Sequence, residues 1–247
     1  MLSGLDVDFL LTNDDGIEAE GLTSLVRAVS KIGSVAVVAP DTVRSCCSHA
    51  VTTAEALSIQ QVDAKSWKVS GTPADCVRIA IKYLQIRPKW VLSGVNEGGN
   101  LGVDIHYSGT VAGAREATLM GFRAMAVSQY LRRDRPRDWA LSALRAIHAW
   151  TQLHLIELQT DQFWNVNLPV VDHTEVELAI APCEPEPQML AYDFAAIEDQ
   201  DQADVSSDMQ IIKYRSNYQL RPRLESYDVE RCFAGNITAS RLSVRLP

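Results

Sequence analysis

Apolar and polar positions come in blocks along the first two-thirds of the chain. Residues 7–12 form a short apolar run that ends in the polar stretch Asn13-Asp14-Asp15-Gly16, which predicts a buried strand. Leu22, Leu25, Val26, Val29 and Ile32 then recur at helical spacing on one face, and Gly33 stands where a helix end takes glycine. Residues 35–39 read as a second buried strand, stopped by Pro40. A loop over 41–49 follows, and 50–70 read as short strands ending at Trp67-Lys-Val69. The turn at 71–75 leads into a helix with Val77, Ala80, Ile81 and Leu84 on one face. Residues 90–93 are a third core strand, running into the segment from Gly94 to Asn100. Ser108-Gly109-Thr110 opens a helix over 111–119 that Gly121 closes. A fourth strand at 124–128, a charged loop at 131–138, a long helix over 138–158 and a fifth strand at 163–169 complete the series.

Strands separated by helices predict parallel βαβ units and an α/β fold with a doubly wound, mainly parallel sheet. After Pro169 the pattern changes. Residues 174–181 and 208–220 read as strands of an antiparallel extension, and the acidic stretch from Ile197 to Asp204 as a solvated loop. The chain therefore divides into a core, 1–170, and a C-terminal extension, 171–247.

Composition narrows the function classes. A chain of 247 residues with 47% hydrophobic and 22% charged residues is ordinary globular protein. No apolar run is long enough for a membrane span. The N-terminal segment carries acids where a secretory leader would be basic and then apolar, so a cytoplasmic protein is expected. A net charge of −8 argues against a nucleic-acid polymer as partner. A small anionic substrate is still compatible, because a bound divalent cation reverses the local sign of an acidic site. The five cysteines are odd in number and lack C-x-x-C spacing, against both a disulfide framework and a zinc site. Cys46 and Cys47 read as small residues in a tight turn or as reactive thiols.

In an open parallel sheet, ligands bind outside the carboxyl ends of the strands. Asn13-Asp14-Asp15-Gly16 follows the first strand, Arg44-Ser45 lies after the second, and the segment from Asn96 to Gly102 follows the third. Two adjacent carboxylates repel unless a cation or strong donors lie between them, and hard oxygen donors suit Mg²⁺, Mn²⁺ or Ca²⁺. The alternative is a turn with one capping acid and one exposed acid. Four glycines in residues 94–102 let backbone N–H groups approach a ligand around Asn96 and Asn100. Ser108, Gly109 and Thr110 begin a helix, as a phosphate site or as an ordinary cap. Asp75, in a similar turn, reads as a helix cap. His49 and His106 sit in the same loops, either as proton donors to a leaving oxygen or as structural or solvated histidines. His148 and His154 fall on the long helix as surface or packing residues, and His173 follows the fifth strand.

Six motifs then stand in order. They are Leu10-Leu-Thr-Asn-Asp-Asp-Gly-Ile17, Val37-Val-Ala-Pro-Asp-x-x-Arg-Ser45, Gly71-Thr-Pro-x-Asp-Cys76, Ser93-Gly-x-Asn-x-Gly-x-Asn-Leu-Gly102, Tyr107-Ser-Gly-Thr-Val111 and Asn165-Val-Asn-x-Pro169. Together, over residues 7–169, they resemble the SurE survival-protein family. The resemblance implies a Rossmann-like fold and a divalent-metal-dependent phosphomonoesterase acting on nucleoside 5′- and 3′-monophosphates, with short polyphosphate as a further substrate. It implies one divalent cation per subunit, Mg²⁺ or Mn²⁺ (Ca²⁺ in a crystal), held by Asp14, Asp15, Ser45 and Asn96. It also implies a homodimer or homotetramer joined through the C-terminal region.

The expected mechanism is attack by metal-activated water, with Asp14 or Asp15 accepting the proton. Asn13, Asn96, Gly98, Asn100, Ser108, Gly109 and Thr110 are the expected phosphate contacts, and His49 or His106 the proton donor. Departures are Cys46-Cys47 in place of smaller residues, Val103 where an acid is usual (Asp104 follows), and a C-terminal third with only an echo of the family pattern at 228–238. The alternative is a catalytically silent nucleotide-binding or signalling protein on the same fold. A phospho-receiver would need an acid after the third strand, where Gly94 and Asn96 stand, and a haloacid-type phosphatase would need Asp-x-Asp rather than adjacent acids.

Overall fold

A computed structural model describes residues 4–196 and 210–245 of the chain. Its centre is β1 (Leu5–Thr12), flanked in parallel by β2 (Val35–Pro40) and β5 (Ile86–Glu97). With β3 (Ile59–Asp63), β4 (Ser66–Val69), β6 (Arg123–Gln129), β7 (Gln162–Leu168), β8 (Ile180–Pro182) and β11 (Ile237–Ser243) it makes a nine-stranded sheet of order β3-β4-β2-β1-β5-β6-β7-β11-β8. The α/β class and the mainly parallel, doubly wound sheet are as the periodicity predicts.

The two sheet faces bury different helices. Phe9 and Leu11 of β1 face α1 (Glu20–Val29) and α4 (Trp139–Leu153), packing with Leu22, Leu25, Val29 and Leu153. Leu10 points the other way, onto α2 (Pro73–Arg78) and α3 (Gly109–Leu119), with Val77, Val111 and Ala114. This is the period-2 alternation of a strand buried on both sides. α1 presses so closely on β5 that a Cβ on Gly21 would lie 2.1 Å from the Val95 carbonyl oxygen. α2 starts with a reciprocal capping box between Thr72 and Asp75 and Pro73 in its first turn, and a wider turn, Ile79–Tyr83, continues it. Asp138 caps α4 by accepting the Leu141 N–H at 2.9 Å. That helix ends at Leu153, short of residue 158, with His154 as its C-cap and Leu155 left 75% exposed beyond it.

Two strand expectations are corrected, and the antiparallel pairing expected for 208–220 is found. β5 extends well past 93, since after an irregularity between Ser93 and Asn96 it resumes pairing with β6, Asn96 against Ser128 and Glu97 against Gln129. Gly94 makes this possible: at φ 139° its missing Cβ would stand 2.2 Å from the Val127 oxygen. The segment 174–181 contributes only β8, which runs parallel to β11 rather than antiparallel. In 208–220, β10 (Ile212–Ser216) pairs antiparallel with β9 (Tyr192–Ala196) as a separate two-stranded arm. The acidic stretch from Ile197 to Asp204 lies outside the described residues. Two C-terminal elements lack a sequence signal. α5 (Asp228–Phe233) is only six residues long, too short to show a period. β11 carries buried Thr238 and Ser240 and pairs antiparallel with β7, so the C-terminal segment returns to the main sheet.

Candidate functional site

The carboxyl ends of β1, β2 and β5 converge. Asn13 folds the turn after β1 by donating its Nδ2 hydrogen to the Gly16 carbonyl at 2.9 Å. The Asp14 carbonyl accepts the Arg44 N–H at 2.7 Å, which clips the loop after β2 onto that turn. Ser45 is therefore the residue next to the clip, and it is exposed. From the other side, the Glu97 N–H at the end of β5 donates to Asp15 Oδ2 at 2.9 Å. The Thr110 hydroxyl at the start of α3 donates to Asp14 Oδ1. Gly109 has no room for a side chain: a Cβ there would stand 2.7 Å from Cys47 Sγ and 2.9 Å from Asp14 Oδ2.

The electrostatics of the pair follow from burial. Asp14 is 4% exposed, and desolvation pushes its carboxyl up to about 6. The Thr110 hydroxyl opposes that rise, and the neighbouring Asp15 charge adds to it. Asp15 is raised too, by burial first, against the Glu97 N–H and with the Glu97 charge. Cys47 is pushed up to about 11 by burial and then by the Asp14 charge, so its thiol is protonated at neutral pH. All five cysteines are free.

Among the described residues neither carboxylate has a salt-bridge partner, so desolvation is opposed by hydrogen bonds alone, chiefly from the Thr110 hydroxyl and the Glu97 N–H. That is the condition a hard divalent cation relieves. Among the described residues no three His, Cys, Asp or Glu side chains converge, so further ligands would be neutral oxygens. Asn96 offers one: its Nδ2 is spent on the Gly98 carbonyl at 2.8 Å, which leaves Oδ1. The Ser45 hydroxyl is the other. The donor set thus fits the cation.

Other predicted site residues are engaged within the protein. Ser108 caps α3, its Oγ accepting the Val111 N–H at 3.0 Å. His49 Nε2 meets Glu116 Oε2 at 2.7 Å, and Glu116 Oε1 also accepts from Arg78 Nε at 2.5 Å. This cluster ties the 41–49 loop to α3 and α2. Thr52 strengthens the tie by donating its N–H to Asp75 at 2.9 Å. His106 is exposed, and its carbonyl accepts the Ser48 hydroxyl at 2.7 Å. Asn100 is anchored on all sides. Its N–H donates to Asn167 Oδ1 at 2.7 Å, its Nδ2 to Ser128 Oγ at 2.7 Å, and its carbonyl accepts from the Nδ2 atoms of Asn165 and Asn167 at 2.9 and 3.0 Å.

Sequence reasoning missed the residues that hold the Gly-rich segment from the C-terminal side. Arg221, its side chain fully buried, pairs with Asp104 at 2.5 Å and donates to the Leu101 carbonyl at 2.9 Å. Tyr218 donates to Asp104 Oδ2 at 3.1 Å, and its oxygen lies 3.3 Å from that of Gly99. Asp228 accepts the N–H groups of Gly102 at 2.7 Å and Glu186 at 2.8 Å. Asn165 and Asn167 were visible as amides on an otherwise apolar strand. A lone arginine or tyrosine in an aperiodic stretch carries no such signal.

The arrangement has known counterparts. The family described as survival protein SurE matches residues 9–186. A putative 5′-nucleotidase from Synechocystis sp. is 38% identical over 238 residues, covering 96% of this chain and 100% of the relative. The 5′-nucleotidase SurE of Citrifermentans bemidjiense is 46% identical over 161 residues, 65% of this chain and 64% of that protein. The crystal structure of the SurE protein from Aquifex aeolicus superposes with a TM-score of 0.82 at 29% identity, over 97% of this chain and 94% of that one. With the motifs in order, the two carboxylates at the strand ends and a match that runs from β1 into the C-terminal third, the chain belongs to the SurE family.

Proposed function

We propose that this protein is a 5′-nucleotidase, a phosphoric monoester hydrolase that works with a divalent cation. The observation that carries the reading is the pair Asp14–Asp15, a buried and a partly buried carboxylate with no salt-bridge partner among the described residues, between strand ends and the start of α3. Asp14, Asp15, Ser45 and Asn96 would hold one cation, Mg²⁺ or Mn²⁺. Bound there, it would draw charge from the phosphate oxygens and make a water more acidic.

The chain's own groups do the rest. Thr110 fixes one oxygen of Asp14, and the Glu97 N–H fixes one of Asp15, so each carboxylate keeps its second oxygen in a set direction. Asp14 or Asp15, whichever is less committed to the cation, would take the proton from the attacking water. The first turn of α3 offers the Gly109 N–H to a phosphoryl oxygen, while Ser108 and Asn100 hold the backbone that surrounds it. His106 is the candidate donor to the leaving oxygen, since His49 is held by Glu116. Hydrolysis of 3′-monophosphates and short polyphosphate belongs to the same proposal.

Assembly as a homodimer or homotetramer through the C-terminal region is supported by the β9–β10 arm, which exposes Tyr192, Phe194, Ile212 and Tyr214. A two-stranded sheet is marginal in water unless its apolar side chains are covered. Phe194→Ser with Tyr214→Ser should lower the sedimentation mass. An unchanged mass would remove the arm from the interface.

The activity is tested on a panel of nucleoside 5′- and 3′-monophosphates and tripolyphosphate, in EDTA and then with Mn²⁺ or Mg²⁺. Turnover is expected only with metal, and Asp14→Asn should fold yet lose about a thousandfold or more in kcat. Full turnover in EDTA would contradict the metal, and nucleotide binding with no turnover would contradict the enzyme.

A further inference from the structure

A cleft of about 870 Å³ opens beside the Gly-rich segment, a size that suits a small organic ligand. One edge is Gly98 and Gly99. The Gly98 carbonyl accepts from the Asn96 side chain at 2.8 Å, so the cleft begins two residues from a proposed cation ligand. Tyr130, Tyr218 and Phe233 line it as an aromatic stack. Tyr130 and Phe233 lie 4.4 Å apart at 19°, and Tyr130 and Tyr218 lie 6.1 Å apart at 25°. The Tyr130 hydroxyl donates to Gln219 Oε1 at 2.7 Å, which fixes the ring.

Arginines make the rim. Arg132 is neutralised by Asp134, with Nη2 to Oδ2 at 2.7 Å. Arg133 and Arg223 also line the cleft, and among the described residues neither is paired with a carboxylate. The Arg223 guanidinium lies 4.5 Å over the Phe233 ring. Two unpaired guanidinium groups on one cleft of a chain with net charge −8 mark a place for an anion. Arg223 donates to the Gln219 carbonyl, which holds it at the rim, and hydrolysis of a simple monophosphate brings neither guanidinium an anion, because its only phosphate belongs at Asp14–Asp15.

We infer that this cleft receives the far end of the substrate and that Arg133 and Arg223 select phosphate esters bearing a second phosphate, a nucleoside 3′,5′-bisphosphate above a nucleoside monophosphate. The inference rests on the phosphatase reading of Asp14–Asp15. The Arg223 guanidinium, held over Phe233 with the buried Tyr130 behind that ring, is what favours a nucleoside over a bare phosphate chain, since a base gains by lying on a guanidinium face. Water cleaves one P–O ester bond, giving inorganic phosphate and the nucleoside monophosphate that keeps the second phosphate in the cleft.

The test compares adenosine 3′,5′-bisphosphate with 5′-AMP, with tripolyphosphate as a base-free competitor, on the full chain with Mn²⁺. Wild type should favour the bisphosphate by about tenfold or more in kcat/KM, mostly through KM. Arg133→Gln with Arg223→Gln should cost the bisphosphate about tenfold or more and 5′-AMP less than about threefold. Calorimetry without added metal gives a second reading that does not need turnover: the double variant should weaken bisphosphate binding and leave adenosine binding unchanged. A wild type that hydrolyses 5′-AMP with no preference for the bisphosphate overturns the inference and leaves the phosphatase standing. Equal losses for both nucleotides overturn it too, as a structural effect, and stronger competition by tripolyphosphate overturns the nucleoside part. Arginine-dependent bisphosphate binding with no hydrolysis of any ester would instead overturn the phosphatase and keep the cleft's selectivity.

Discussion

Asp14 shows how a single residue trades stability for chemistry. Its folded-state pKa, about 6, lies above the ordinary 3.8, so between those values the folded protein holds a proton that the unfolded chain releases. The sign is then fixed. This group makes the metal-free protein less stable as pH rises from about 4 to 6, and the cost persists at neutral pH. Asp14→Asn should therefore stabilise the metal-free protein at pH 8 by up to about 3 kcal/mol, and flatten the pH dependence in urea titrations, while abolishing turnover. A variant no more stable than wild type would contradict the desolvation account. Cation binding needs the ionised carboxylate, so Mn²⁺ affinity should fall about tenfold per pH unit below about pH 6, measured by calorimetry. Gly109→Ala should fold but lose activity about a hundredfold or more, because its methyl would meet Cys47 and the Asp14 carboxylate. At this scale the sequence was informative where chemistry leaves a mark, as in adjacent acids after an apolar strand. It was not informative about partners: an amide such as Asn100 looks the same whether it faces a ligand or two neighbouring strands.

Among the elements, the Gly-rich segment is gripped twice. Ser128 on β6 and Asn165 and Asn167 on β7 hold Asn100 from the sheet, and Arg221 and Asp228 hold Leu101, Gly102 and Asp104 from the C-terminal third. Arg221→Leu would leave Asp104 without its charge partner and the Leu101 carbonyl without a donor. The expected cost is about 3 kcal/mol or more, read as a lower melting temperature, together with a raised KM from a loosened segment. A normal KM with the lowered melting temperature would confine the arginine to stability. The βαβ units through residue 169 were legible because helices and strands each bury a face, and burial writes a period into the sequence. α5 is too short for a period. β11 hides its strand character because its buried run mixes apolar Ile237 and Ala239 with polar Thr238 and Ser240, and both faces are covered.

For the molecule as a whole, a cation that binds only the folded state adds its binding free energy to stability. At a hundredfold excess over its dissociation constant the gain is about 2.7 kcal/mol, so Mn²⁺ should raise the melting temperature and EDTA should reverse it. No shift with saturating Mn²⁺ or Mg²⁺ would argue against the site. The sheet also joins distant parts of the chain, since β11 is laid down beside β7 only after α5. That order has a consequence for synthesis. On the ribosome, the Gly-rich segment emerges more than a hundred residues before the arginine and aspartate that complete its grip, Asp228 lying 126 positions beyond Gly102. A nascent chain stalled before Arg221 should remain open to protease around Gly98 to Gly102 and hydrolyse nothing, and equal protection in the stalled and finished chains would refute this. Until Arg221 and Asp228 have followed, the Gly-rich segment lacks its second grip, so a nascent chain should gain activity only once that stretch has been made.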